Sequence, residues 1–251
     1  MPSFDFLADP LFWVAALAAL AAATIRGFSG FGAGLVFMPV AAACFGPRPA
    51  AGVLFVVDTI LILPFVAKAV RIVDWREILP LGLGAAAAVP AGVLVLLHAD
   101  PIRLRWGLSL AILLSVGVLA AGWRYRGPTL VWLSAIVGAV AGFMSGAAQI
   151  PGPPVLIYWL GRQVVSATMR ANAIVFFLFT TVISGLAFLW GGIFTADVMA
   201  LSAALFPIYA VGIFVGGRMF GLASETTYRR IAYASILFVA VVSMPGFGWE
   251  D

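Results

Sequence analysis

Apolar residues fill eight runs of this chain, at positions 11–46, 51–67, 78–97, 104–122, 130–160, 168–191, 198–215 and 231–244, with charges, glycines and prolines at their edges. Continuous runs of this length predict helices that cross a bilayer, whereas the strands of an outer-membrane barrel alternate over short segments. Two runs are too long for a single crossing. Positions 11–46 hold 36 residues, about 54 Å as one helix against a hydrocarbon core of about 30 Å. Positions 130–160 hold 31, and Pro151, Pro153 and Pro154 interrupt them. Both carry a glycine- and proline-broken stretch: Gly27-Phe28-Ser29-Gly30-Phe31-Gly32-Ala33-Gly34 with Pro39, and Gly142-Phe143-Met144-Ser145-Gly146 followed by Gln149-Ile150-Pro151-Gly152-Pro153-Pro154. Each is expected to form two helical arms joined at an interrupted tip. Unwound backbone at membrane depth survives only where it is buried in protein or lines a cavity, so the paired breaks point to a transporter site.

Composition agrees with a chain that lives in lipid. It is 64% hydrophobic and 10% charged, with mean hydropathy +1.14, against about 25% charged residues in soluble domains. The expected class is an all-α integral membrane protein. A net charge of +4 would suit nucleic acid, but no polar segment gathers the basic residues, and cytoplasmic loops account for them. The lone Cys44 excludes an intrachain disulfide and a cysteine metal cluster. Residues 1–10 carry Asp5 and Asp9, and the first basic residue is Arg26, unlike a cleavable leader.

Loop charge constrains the topology. If each broken unit enters and leaves on one side, the loops with Lys68/Arg71/Arg76, Arg124/Arg126, Arg162 and Arg218/Arg229/Arg230 all fall inside, and the acidic N-terminus, the Asp197 loop and Glu250-Asp251 fall outside. Arg103 and Arg105 fit neither side. Each half is then a re-entrant-like unit plus three transmembrane helices, and the odd number inverts the second half, 127–251, relative to the first, 1–126. A shift of 115 superposes Gly27 on Gly142, Phe28 on Phe143, Pro39 on Pro154 and Gly46 on Gly161, and a one-residue slip brings Ser29-Gly30 onto Ser145-Gly146. The halves read as a diverged duplication.

A helix that starts at a break presents unpartnered N–H groups and about half a positive elementary charge. Glycine lets a ligand oxygen approach those donors, and a serine hydroxyl adds another, so Ser29, Gly30, Gly32, Ser145 and Gly146 are candidates to cradle a small oxyanion. The opposing reading is that the glycines only let helices pack closely. Arg26, Asp58 and Arg170 fall inside apolar runs, where a charge costs about 2.5–3.5 kcal/mol and normally faces a cavity or a partner. Arg26 offers a fork to an oxyanion or pairs with Asp58; Asp58 holds an arginine or carries a coupling proton. Arg170 and Asn172 stand about 200° apart on a helix and share a site only if that helix starts irregularly. Gln149 donates an amide hydrogen bond to a ligand or to freed backbone. Arg48 and Arg162 read as loop residues or snorkelling anchors. His98 reads as interfacial.

The two motifs and the two-halved layout resemble the TauE/SafE sulfite exporter family over nearly the whole chain. That resemblance implies a multi-pass transporter of sulfite or small organosulfonate anions in a bacterial inner membrane, not an enzyme. The Pro-Gly-Pro-Pro run and Gln149 depart from the family's glycine-rich pattern. Neither a cofactor nor a metal is expected, and the expected partners are the anion and the lipid bilayer; a homo-oligomer is compatible with the sequence. Alternatives are an uptake permease for another small anion and a non-transporting membrane assembly subunit.

Overall fold

A computed structural model describes Phe6 and residues 8–100, 130–160 and 166–222, together with scattered positions from 102 to 127. Most of the expected spans at 104–122 and 231–244 lie outside the described residues. The described residues include eight bounded helices and no strand: α1 Pro10–Ser29, α2 Ala33–Phe45, α3 Pro47–Ala69, α4 Trp75–His98, α5 Val131–Ala148, α6 Gly152–Leu160, α7 Ser166–Trp190 and α8 Ala196–Leu222. Six of them, α1, α3, α4, α5, α7 and α8, are long and apolar enough to cross a membrane. Their outward faces carry Leu17, Leu83, Val131, Leu186 and Trp190, all exposed, which is the surface a lipid-facing bundle presents.

Local chemistry sets the helix ends. Asp9 caps α1 by accepting from the Leu11 N–H at 2.9 Å, ahead of Pro10 in the first turn. Asp74 caps α4 by accepting from the Arg76 N–H at 3.1 Å. The joint between α2 and α3 is Gly46 alone, at φ 85° and ψ 159°, a conformation open essentially to glycine. Helix α3 therefore begins at Pro47, earlier than the apolar run suggests, and Arg48 is helical rather than a loop residue. Its Nε donates to the Leu96 carbonyl at 3.2 Å and its Nη2 to the Leu97 carbonyl, so it neutralises the C-terminal end of α4. Arg218, read as a loop residue, lies within α8 with its guanidinium 4.2 Å from the Phe214 ring centroid.

Both long runs break. Helix α2 packs back against α1 and continues into contact with α3, while α6 packs against α5. The interruptions span Gly30–Gly32 and Gln149–Pro151. Around them α1 packs on α8 and α4 on α5, and α3 and α7 touch each other and the remaining long helices. Small residues make the two tightest crossings. A Cβ at Gly138, Gly142 or Gly146 would strike the backbone of α4, and one at Gly27, Gly212 or Gly216 would strike across the α1–α8 seam. Such close approach is the main source of helix affinity in lipid, where no hydrophobic difference separates a neighbouring helix from an acyl chain.

Candidate functional site

The two interruptions meet. Gly34, in the first turn of α2, sits against the carbonyl of Gln149 at the end of α5, so close that a Cβ there has no room. Beside this contact lies a cavity of about 40 Å³, space for a few waters or one compact ion at about 10–15 Å³ per water. Its wall takes Arg26 from α1, the start of α2, Asp58 from α3, Ser145 from α5, Gln149 from the second break, and Thr180 from α7.

The first break separates two helix ends of opposite polarity. Gly30, at φ 83°, closes α1 by donating its N–H to the Arg26 carbonyl at 2.8 Å. The carbonyl end is tied by two arginines: Arg26 Nη1 donates to Gly30 O at 2.5 Å, and Arg170 Nη2 donates to Gly27 O at 2.6 Å. The amide end is left open. Gly32, at φ 92°, begins α2 with no side-chain cap, and Gly32, Ala33, Gly34 and Leu35 line the cavity. The positive end of α2 therefore borders the cavity.

Arg26 is 4% exposed. Its Nε and Nη2 form a fork on Asp58, at 3.1 and 2.9 Å, and its guanidinium lies 4.8 Å from the Phe177 ring centroid. Asp58 also accepts from the Tyr209 hydroxyl at 2.8 Å. A bidentate pair is the geometry that lets two charges share a low-dielectric site. The expected pairing of Arg26 with Asp58 is thus present, and the pair borders the cavity.

The other candidates divide. Ser145 and Gln149 lie on the wall; Gln149 takes a left-handed conformation, φ 56°, and its Nε2 donates to the Ser145 carbonyl at 3.0 Å. Ser29 is outside the wall, its Oγ 2.7 Å from the Ile25 carbonyl and 2.8 Å from the Phe31 carbonyl, and with Gly30 it shapes the break rather than facing the cavity. Gly146 is spent on the α4–α5 crossing. Arg170 stands behind the first break, with its guanidinium 4.3 and 5.8 Å from the Phe220 and Phe65 ring centroids. Asn172 is fully buried elsewhere, accepting from the Asp74 N–H at 2.9 Å and donating to Glu77 at 3.3 Å. Sequence reading missed Tyr209 and Phe177. A hydroxyl in the middle of the apolar run 198–215 was the available clue to Tyr209; nothing singles out Phe177 among twenty phenylalanines.

Comparison with known proteins gives two findings. The family model described as sulfite exporter TauE/SafE matches residues 15–243. The chain is 26% identical over 226 residues to a protein of Cupriavidus necator named "Probable sulfite/organosulfonate exporter TauE", a match covering 86% of this chain and 87% of that one. No solved structure matches the chain.

Proposed function

The chain belongs to the sulfite exporter TauE/SafE family, and we infer that it is a secondary transporter that exports sulfite or a small organosulfonate across a bacterial inner membrane. One observation carries this reading: the uncapped amide end of α2 and the buried Arg26 converge on one small cavity between the two breaks. Backbone donors beside a guanidinium suit a compact oxyanion, because N–H groups and a planar fork match oxygen atoms without demanding one exact geometry.

The anion sits against Gly32, Gly34 and Arg26, with Ser145 and Gln149 opposite. Arg170 supports it from behind by holding the Gly27 carbonyl. Alternation moves one half, 1–126, against the other, 127–251, as inverted-repeat transporters do; separating Gly34 from Gln149 opens one side of the cavity. The sequence has no Gly-x-x-x-x-Gly-Lys-Ser/Thr loop, so the driving force is a gradient, and the direction of flux follows that gradient.

The test is efflux from liposomes. Purified protein is reconstituted into vesicles loaded with radiolabelled sulfite at alkaline pH, where little crosses as neutral sulfur dioxide. Release faster than from protein-free vesicles, and slowed by external methanesulfonate only when the protein is present, is expected. Release at the protein-free rate overturns the reading.

A further inference from the structure

The fork that would grip the anion is closed on a carboxylate. Arg26 Nε and Nη2 both point to Asp58, so the pair is neutral and an entering anion meets a negative group on the same wall. Resting on the transport reading above, we propose that Asp58 is the coupling site of the transporter, and that a proton bound there crosses the membrane together with each anion.

The logic is competition. Asp58 and the substrate are both oxyanions that fit one guanidinium fork, and they cannot hold it together in a cavity of about 40 Å³. Adding a proton to an Asp58 oxygen gives the neutral acid, removes the competing charge, and frees the fork for the substrate. The same proton leaves from Asp58 on the far side once the anion has gone and Arg26 closes on the carboxylate again. Nothing is oxidised or reduced, and one proton accompanies one anion.

Proton and anion thus favour the same state, and by linkage each strengthens the other's binding by the same factor. That is the requirement for co-transport, which carries the anion outward whenever the anion's outward gradient exceeds the opposing proton gradient. Exchange of a proton for an anion would need the two to exclude each other. The empty return step also follows: with Asp58 ionised and paired, the site crosses the bilayer as a neutral, forked pair rather than as a lone arginine.

Among the described residues that line the cavity, Asp58 is the one carboxylate. Helix α1 presents Arg26, and α8 presents the Tyr209 hydroxyl at 2.8 Å. Helix α2 carries no charged side chain. The single charged residue of α7, Arg170, is donated to the Gly27 carbonyl, and the α7 residues beside Asp58 on the wall are Phe177, Thr180 and Thr181. Helix α4 keeps Arg76, Glu77 and His98 at its ends.

The experiment uses methanesulfonate, whose charge does not change over the working pH range, so that any proton dependence belongs to the protein. Vesicles holding the full-length protein, with the potential clamped at zero by potassium and valinomycin, are given a pH gradient, acid outside. Co-transport predicts inward accumulation of up to about tenfold per pH unit. Asp58→Asn is expected to abolish accumulation and to make any exchange it retains independent of pH. Wild-type protein that equilibrates methanesulfonate without accumulating it, or a D58N variant that accumulates as the wild type does, overturns the coupling and leaves the transport reading standing. Wild-type protein that moves neither methanesulfonate nor sulfite overturns both.

Discussion

The two breaks meet beside one cavity, yet they are built from different materials. The first uses two glycines at positive φ, Gly30 and Gly32, and opens directly onto the amide end of α2. The second turns at Gln149, a non-glycine held at φ 56°, and enters α6 through Gly152-Pro153-Pro154. Proline has no N–H, so the first turn of α6 lacks two of the donors that α2 has at the same stage. The first break also has an arginine fork beside it; the second has a neutral amide folded back on Ser145. On the proposed reading, the first break alone is equipped for an anion. The other forms the facing wall.

The sharpest way to break that contrast is to remove the charge. Arg26→Ala strips Asp58 of its partner in the apolar interior, and orphaning one member of a buried pair costs about 3–5 kcal/mol. Loss of measurable sulfite efflux is expected, with a clear fall in thermal stability in detergent. Gln149→Ala is expected to retain most of the flux. If Q149A abolishes efflux as R26A does, at unchanged stability, the second break binds substrate as strongly as the first and the asymmetry is wrong.

A smaller effect tests the contact between the breaks. Gly34→Ala drives a methyl group into the Gln149 backbone, whereas Gly152→Ala meets nothing nearer than Leu156 Cδ1 at 4.0 Å. Overpacking against backbone costs about 1–3 kcal/mol, whereas at the buried Gly152 an added methyl group has room. Melting of G34A well below G152A, with slower efflux, is the expected result. Equal melting temperatures would mean that the breaks do not hold each other in the resting state.

Much of this was legible because lipid makes sequence speak loudly. A run of 36 apolar residues cannot cross once as a straight helix, and charges inside apolar runs had to find partners, which pointed to the Arg26–Asp58 pair. What sequence could not separate was glycine as ligand contact from glycine as helix seam. Gly32 and Gly146 look alike in their motifs, but one borders the cavity and the other lies against Val89 of α4. That difference depends on which helix packs where, a long-range property absent from a local motif. Asn172 was expected to share a site with Arg170 only at an irregular helix start; its actual partners, Asp74 and Glu77, lie almost a hundred positions away in sequence. Arg170, read only as a charge that must face a cavity or a partner, holds the Gly27 carbonyl behind the first break.

The smallest expected effect comes from making the second break resemble the first. Gln149→Gly relieves a left-handed conformation that costs a non-glycine residue about 1–2 kcal/mol. It also removes the Nε2 hydrogen bond to Ser145, worth about 0.5–1.5 kcal/mol. The two terms oppose each other, so stability should shift by about 1 kcal/mol or less and efflux by well under tenfold. The reverse exchange has no such cancellation. Gly30→Ala must adopt φ 83° with a side chain, and its Cβ would lie 2.8 Å from Arg170 Cγ; strain and clash add, and Arg170 is pushed from the Gly27 carbonyl it supports. Paired melting and efflux measurements should therefore leave Q149G near wild type and G30A clearly impaired. Equal damage from both would mean that the Gln149 side chain does more than satisfy Ser145, and the wall it forms would have to be counted as part of the anion's own binding set.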